Sequence, residues 1–159
     1  MNIIFLDFNG VLDTYDNMDI INKDNLNRLK RITEVTSSKI VISSSLKNSY
    51  FSTGHFSKHL KNIIEEIRSV GIEVIGITPK ANTREEEIEL YLQQHPEIDN
   101  FCILDDDYEM EKLKDNLVKL PSQMTEGQTG LNETHVERAI NILNGFNKKL
   151  RKQQHKGKV

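Results

Sequence analysis

Two rhythms of apolar residues alternate along this chain. Ile3-Ile4-Phe5-Leu6 and Ile40-Val41-Ile42 are continuous apolar runs too short for a helix, and the first predicts a strand buried on both faces. Ile72-Glu73-Val74-Ile75-Gly76-Ile77, Phe101-Cys102-Ile103-Leu104 and the shorter Asn116-Leu117-Val118-Lys119-Leu120 predict three more strands. Between them the apolar positions recur at helical spacing. From Asp24 to Val35, Leu26, Leu29 and Ile32 share one face while Arg28, Lys30 and Arg31 point elsewhere. Leu60, Ile63, Ile64 and Ile67 mark a helix from Ser57 to Val70, with Gly71 where a C-cap belongs. Thr83-Arg84-Glu85-Glu86 reads as an N-cap with an acid three residues on, opening a helix through Ile88, Tyr91 and Leu92 that stops before Pro96. A last helix is expected from Asn132 to Leu143, with Val136, Ile140 and Leu143 inward and Gly145 after it.

Repeated strand–helix–strand units imply an α/β fold, a three-layer α/β/α sandwich around a central parallel sheet. The 159 residues suit one domain, and neither a repeat nor a linker divides them. The expected boundaries are a domain over 1–146 and a tail over 147–159. That tail carries six Lys or Arg, one His and no acid, and is expected to be solvated and disordered, with polyanion contact the lesser reading.

Composition narrows the picture. Aromatic content is 6 % with no Trp, so the core rests on Ile, Leu and Val. A net charge of −3 does not point to a nucleic-acid or membrane specialist overall. The single Cys102 excludes an internal disulfide and a Cys-based metal cluster, and its apolar surroundings make it strand filler. No apolar stretch approaches the roughly 20 residues that cross a bilayer. The N-terminal run has no basic flank and is cut short by Asp7, so a cytoplasmic protein without a membrane partner is expected.

The polar clusters fall at the ends of the predicted strands, where ligands gather in open parallel sheets. Asp7 and Asn9 follow the first strand, Ser43 the second and Asp105 with Asp106 the fourth, while the third leads to Thr78-Pro79-Lys80. Crowded carboxylates repel one another unless a cation intervenes. An oxygen-rich set without a His or Cys cluster favours a hard ion, and Mg²⁺ is the usual one beside a phosphate. Such an ion shields a phosphoryl group so that an anionic Asp can attack it.

The segment Phe5-Leu6-Asp7-Phe8-Asn9-Gly10-Val11-Leu12 resembles the first motif of the haloacid-dehalogenase (HAD) superfamily of phosphohydrolases, usually Asp-x-Asp-Gly-x. Ile40-Val41-Ile42-Ser43 resembles its second motif, Lys80 is placed like the basic residue of the third, and Leu104-Asp105-Asp106 resembles the fourth. More narrowly, Ser43-Ser44-Ser45-Leu46-Lys47, Arg84 before Glu87-Ile88, and Thr129-Gly130-Leu131 look like a branch of compact HAD domains associated with RNA-repair proteins.

The resemblance implies a Rossmannoid, HAD-like core without a cap domain, because Val11 to Asn22 and Pro79 to Thr83 leave no room for one. It makes Asp7 the nucleophile and a Mg²⁺ ligand, and gives the backbone carbonyl of Asn9 to the same ion. Ser43 would bind the transferring phosphoryl group. Lys80 would offset charge around Asp7, a task Arg84 can also serve from a helix start. Asp105 and Asp106 would hold the metal directly or through water. Ser44, Lys47 and Arg84 are candidates for substrate contact, Lys47 on its far side, and Tyr50, Phe51 and Phe56 either pack or form a lip.

The implied activity is Mg²⁺-dependent phosphomonoester hydrolysis through an aspartyl-phosphate. The open site favours a large partner, a nucleic-acid end or a phosphoprotein. Asn9 departs from the pattern, since an amide cannot shuttle the proton that the second Asp handles. Three readings follow: an exchange that traps substrate, a domain using another acid such as Asp13 or Asp16, or a weak or inactive module that binds phosphate or nucleic acid.

Overall fold

The computed structural model describes residues 1–106 and 109–145, so the basic tail lies outside the described residues. Five parallel strands form one sheet: β1 (Asn2–Leu6), β2 (Ser38–Ile42), β3 (Val74–Ile77), β4 (Asn100–Asp105) and β5 (Leu117–Lys119). Their order is β3-β2-β1-β4-β5. The helices are α1 (Lys23–Thr36), α2 (Asn48–Thr53), α3 (Lys58–Ser69), α4 (Arg84–Gln94) and α5 (Glu133–Leu143).

The continuous apolar runs have a simple cause: β1 lies at the centre and is covered on both faces. Ile4 and Leu6 enter the larger core with Leu26 and Leu29 of α1, Ile63 and Ile67 of α3, and Val136 and Ala139 of α5. Ile3 and Phe5 enter the opposite layer, where Ile88 and Tyr91 of α4 cover them. Each such buried Ile, Leu, Val or Phe side chain contributes about 1.5–3 kcal/mol. Cys102 and Ile103 divide between the same two layers. Burial pushes the Cys102 thiol far above its ordinary pKa, which leaves it an inert filler.

Two expectations shift. β3 begins at Val74 rather than Ile72, because Gly71, with φ +90°, turns the chain and Ile72 drops into the core ahead of the strand. The pairing of β2 with β3 also slips between Ile40 and Val41. The second is α2, which follows a 3₁₀ turn at Ser45–Lys47 and closes at Gly54 with φ +76°. Its polar sequence, Asn-Ser-Tyr-Phe-Ser-Thr, buries no residue and so leaves no apolar period to read. Among the described residues, no helix is long and apolar enough to cross a membrane.

Candidate active site

All the strands point the same way, so their carboxyl ends share one rim. The sheet ladder fixes Asp7 and Ser43 there: Asp7 N–H donates to Leu104 O at 3.0 Å and Ser43 N–H to Leu6 O at 2.9 Å. Asp105 closes β4 and Asp106 follows it. Asp7, Asp105 and Asp106 are all buried, and each offers a carboxylate oxygen within 4.8 Å of the others. Gly10 makes this approach possible. Its φ is +81°, and a Cβ there would lie 2.2 Å from Asp106 Oδ2. Gln123 N–H secures that same oxygen at 2.7 Å.

Burial, and then the neighbouring Asp105 carboxylate, hold the Asp7 pKa well above the usual carboxylate range, against the pull of Arg84. The guanidinium Nη1 of Arg84 lies 2.8 Å from Asp105 Oδ2 and 3.6 Å from Asp7 Oδ1. Charges of alternating sign continue behind it. Arg84 Nε lies 3.8 Å from Glu87 Oε1, and Lys47 Nζ donates to that oxygen at 2.9 Å. Burial holds the Lys47 pKa below its ordinary value despite this pairing.

Arg84 thus brings one positive charge to three carboxylates. An all-oxygen cluster left with excess negative charge fits a hard divalent cation. Ser43 Oγ supports a ligand at the same rim: it is fully buried and has no hydrogen-bond partner among the described residues. A buried hydroxyl left unpaired costs about 1–3 kcal/mol.

The fold rearranges several expected roles. Arg84, rather than Lys80, stands beside Asp7, because the first turn of α4 faces the rim while Lys80 lies exposed on the loop before it. Lys47 is buried: its side chain is 1 % exposed and its ammonium is bound to Glu87. Ser44 is buried and caps the 3₁₀ turn through Leu46 N–H, so Ser45 faces the site instead. The side chain of Asn9 donates to Asp13 Oδ2 at 2.8 Å and to Asp19 Oδ1 at 2.7 Å. Asp13 is no free replacement acid, since it also accepts from Gly10 N–H and Asp19 N–H. Asp16 is exposed and does not line the recess. Tyr50 and Phe56 pack together, ring centroids 4.9 Å apart, beside the β3 edge rather than over the acids.

Asp7, Asn9, Ser45, Arg84 and Asp106 line a recess of about 160 Å³ with Ser122, Gln123 and Met124. Sequence reasoning missed the 122–124 loop, which carries no apolar period or charge. Its placement depends on Gln128, whose Nε2 donates to Gly10 O at 2.7 Å. Gly130 has a stricter task. At φ +74° it lets Leu131 N–H reach Val11 O, and a Cβ would lie 2.6 Å from the Val11 and Asp13 carbonyls.

A parallel sheet with an acid after its central strand, a buried hydroxyl after one neighbouring strand and an acidic pair at the end of the other defines a HAD-like core, in a superfamily of phosphatase-type hydrolases. The chain belongs to the family described as the HAD domain in Swiss Army Knife RNA repair proteins, whose model matches residues 3–136. Comparisons with curated proteins and with solved structures returned no match.

Proposed function

We propose that this chain is a Mg²⁺-dependent phosphomonoesterase that forms an aspartyl-phosphate on Asp7 and acts on the end phosphates of nucleic acid. The carrying observation is the convergence of buried Asp7, Asp105 and Asp106 beside Arg84 at the carboxyl rim. Asp7, Asp105, Asp106 and the carbonyl of Asn9 would hold the ion. Bound there, Mg²⁺ supplies charge neutralisation for the carboxylates and for the phosphoryl oxygens.

The remaining steps belong to the chain. Phe8 N–H orients the Asp7 carboxylate through Oδ1 at 2.9 Å, and its other oxygen bonds to phosphorus as the ester P–O bond breaks. Arg84 steadies the negative charge shared by Asp7 and Asp105. The Ser43 hydroxyl donates to a phosphoryl oxygen, giving that buried group the partner it lacks. Water then attacks phosphorus, releasing inorganic phosphate and restoring the carboxylate. Asn9 supplies no proton to the departing oxygen, which takes one from solvent. Nucleic acid is favoured as substrate by the family's association with RNA repair.

The test is Mg²⁺-dependent phosphate release from an aryl phosphate and from a phosphorylated oligonucleotide. Asp7→Asn should abolish it, and intact mass should show a phosphoryl group on the parent chain. Release that survives Asp7→Asn overturns the nucleophile assignment. The second reading, a module that binds phosphate or nucleic acid without turnover, rests on Asn9, whose amide is committed to Asp13 and Asp19. Binding without release, even by Asn9→Asp, would select it.

A further inference from the structure

A second recess adjoins the first. It encloses about 180 Å³ and shares Ser45 and Arg84 with the candidate active site as common walls. Apart from Ala81 its remaining lining is polar, with Asn48, Lys80 and Asn82 exposed at its sides. The acid within it, Glu87, is already engaged by Lys47 Nζ and by Ala81 N–H. Glu85, in the first turn of α4, accepts from Lys112 N–H and Leu113 N–H and so is held toward another loop. Lys80 makes no ion pair among the described residues. Among the described residues the recess therefore offers one cation outside any ion pair, Lys80, and two amides next to the place proposed for a phosphoryl group.

We infer that this second recess is a subsite for the phosphodiester adjacent to the terminal phosphate of a nucleic-acid strand, with Lys80 as its recognising cation. The inference rests on the phosphatase reading only in taking the first recess to hold that terminal phosphate. A strand always carries another phosphate one nucleotide from its end, whereas a mononucleotide does not. Two adjoining anion sites divided by a single wall distinguish these ligands. The shared wall is suited to this, because Arg84 faces Asp7 and Asp105 on one side and lines the second recess on the other.

The experiment is titration of the full chain, with Mg²⁺, read by rapid mixing before phosphate is released, using dinucleotides phosphorylated at the 5′ or the 3′ end and the matching mononucleotides. The dinucleotide should bind about threefold to fivefold more tightly, the range of an exposed charge pair. Lys80→Ala should erase that ratio and flatten the log–log salt dependence of dinucleotide binding by roughly 0.7, one counterion's share on a single strand. Lys80→Arg should keep both.

A ratio of one in the parent chain, or a ratio unmoved by Lys80→Ala, overturns the subsite, as does failure of the dinucleotide to bind. An acidic phosphopeptide with the same Lys80-dependent gain overturns its assignment to nucleic acid. Phosphate release is read in parallel. A Lys80-dependent preference without release by the parent chain or Asn9→Asp removes the hydrolase reading and leaves the subsite. Release without the preference removes only the subsite.

Discussion

The amide of Asn9 sits between two carboxylates, donating to Asp13 and Asp19. A carboxyl group placed there would meet like charge on both sides and would be driven to keep a proton, the form that can protonate a leaving group. The parent chain should therefore favour aryl phosphates, whose leaving oxygen departs unaided. Asn9→Asp should raise kcat/KM for alkyl phosphates by about 10²–10⁴-fold, the usual range of general acid–base help, and for aryl phosphates by less. Equal gains on both classes, read from steady-state phosphate release, would refute this account. Behind Arg84, Glu87→Gln leaves Lys47 buried without its counter-charge, at a cost of about 3–5 kcal/mol. Adding Lys47→Met should restore most of that loss, and a double-mutant cycle in urea measures the coupling. Additive losses would mean that the pair is not coupled. Asp7, Asp105 and Asp106 were legible in the sequence because acids close apolar runs. The burial of Lys47 was not, since its partner lies forty positions away on another element.

Elements were legible in proportion to how many of their faces are covered. β1 and β4, covered on both, stand out as unbroken apolar runs, and α1 and α3 show one apolar stripe each. α2 buries none of its residues and left no signal. The start of α5 was legible as a boundary but not in its chemistry. Asn132 Oδ1 accepts from His135 N–H at 3.0 Å, and His135 Nδ1 accepts from Asn132 N–H at 3.1 Å, a capping box closed by an imidazole. That bond needs a neutral ring with a lone pair on Nδ1. Burial, and then Arg138, hold the His135 pKa below its ordinary value. The stabilisation is present above the unfolded-state value of about 6.5 and is lost as pH falls through the folded one. Its size should not exceed that of a helix cap, about 0.5–2 kcal/mol. His135→Gln keeps a side-chain acceptor without a titrating ring. Denaturation at mildly alkaline and mildly acid pH should show a smaller acid loss in the variant than in the parent, and equal losses would remove His135 from the explanation.

The whole molecule sets its best-packed strands against its least comfortable charges. β1 and β4 carry acids into a buried rim, where Arg84 offsets part of their repulsion, and the sheet that fixes their positions also keeps them from moving apart. Stability should therefore be sacrificed here for a site, and pH and metal should act on it jointly. Without metal, the raised pKa of Asp7 means that the folded state keeps a proton the unfolded chain has released. That contribution is complete below the unfolded value of about 3.9 and is lost as pH rises through the folded value. Mg²⁺ binds the ionised form, so it competes with the proton and restores stability where the proton no longer does. At a hundredfold excess over Kd it should add about 2.7 kcal/mol, or roughly 5–10 °C in Tm for a domain of this size. The Tm gain should be small in acid and grow as pH rises through the Asp7 titration. Asp7→Asn removes one of the crowded charges, so it should raise the metal-free Tm at pH above the Asp7 titration and weaken the response to Mg²⁺. Thermal unfolding of both chains across pH, with and without Mg²⁺, provides the measurement. A Mg²⁺ gain independent of pH, or undiminished in Asp7→Asn, would mean that the ion binds elsewhere.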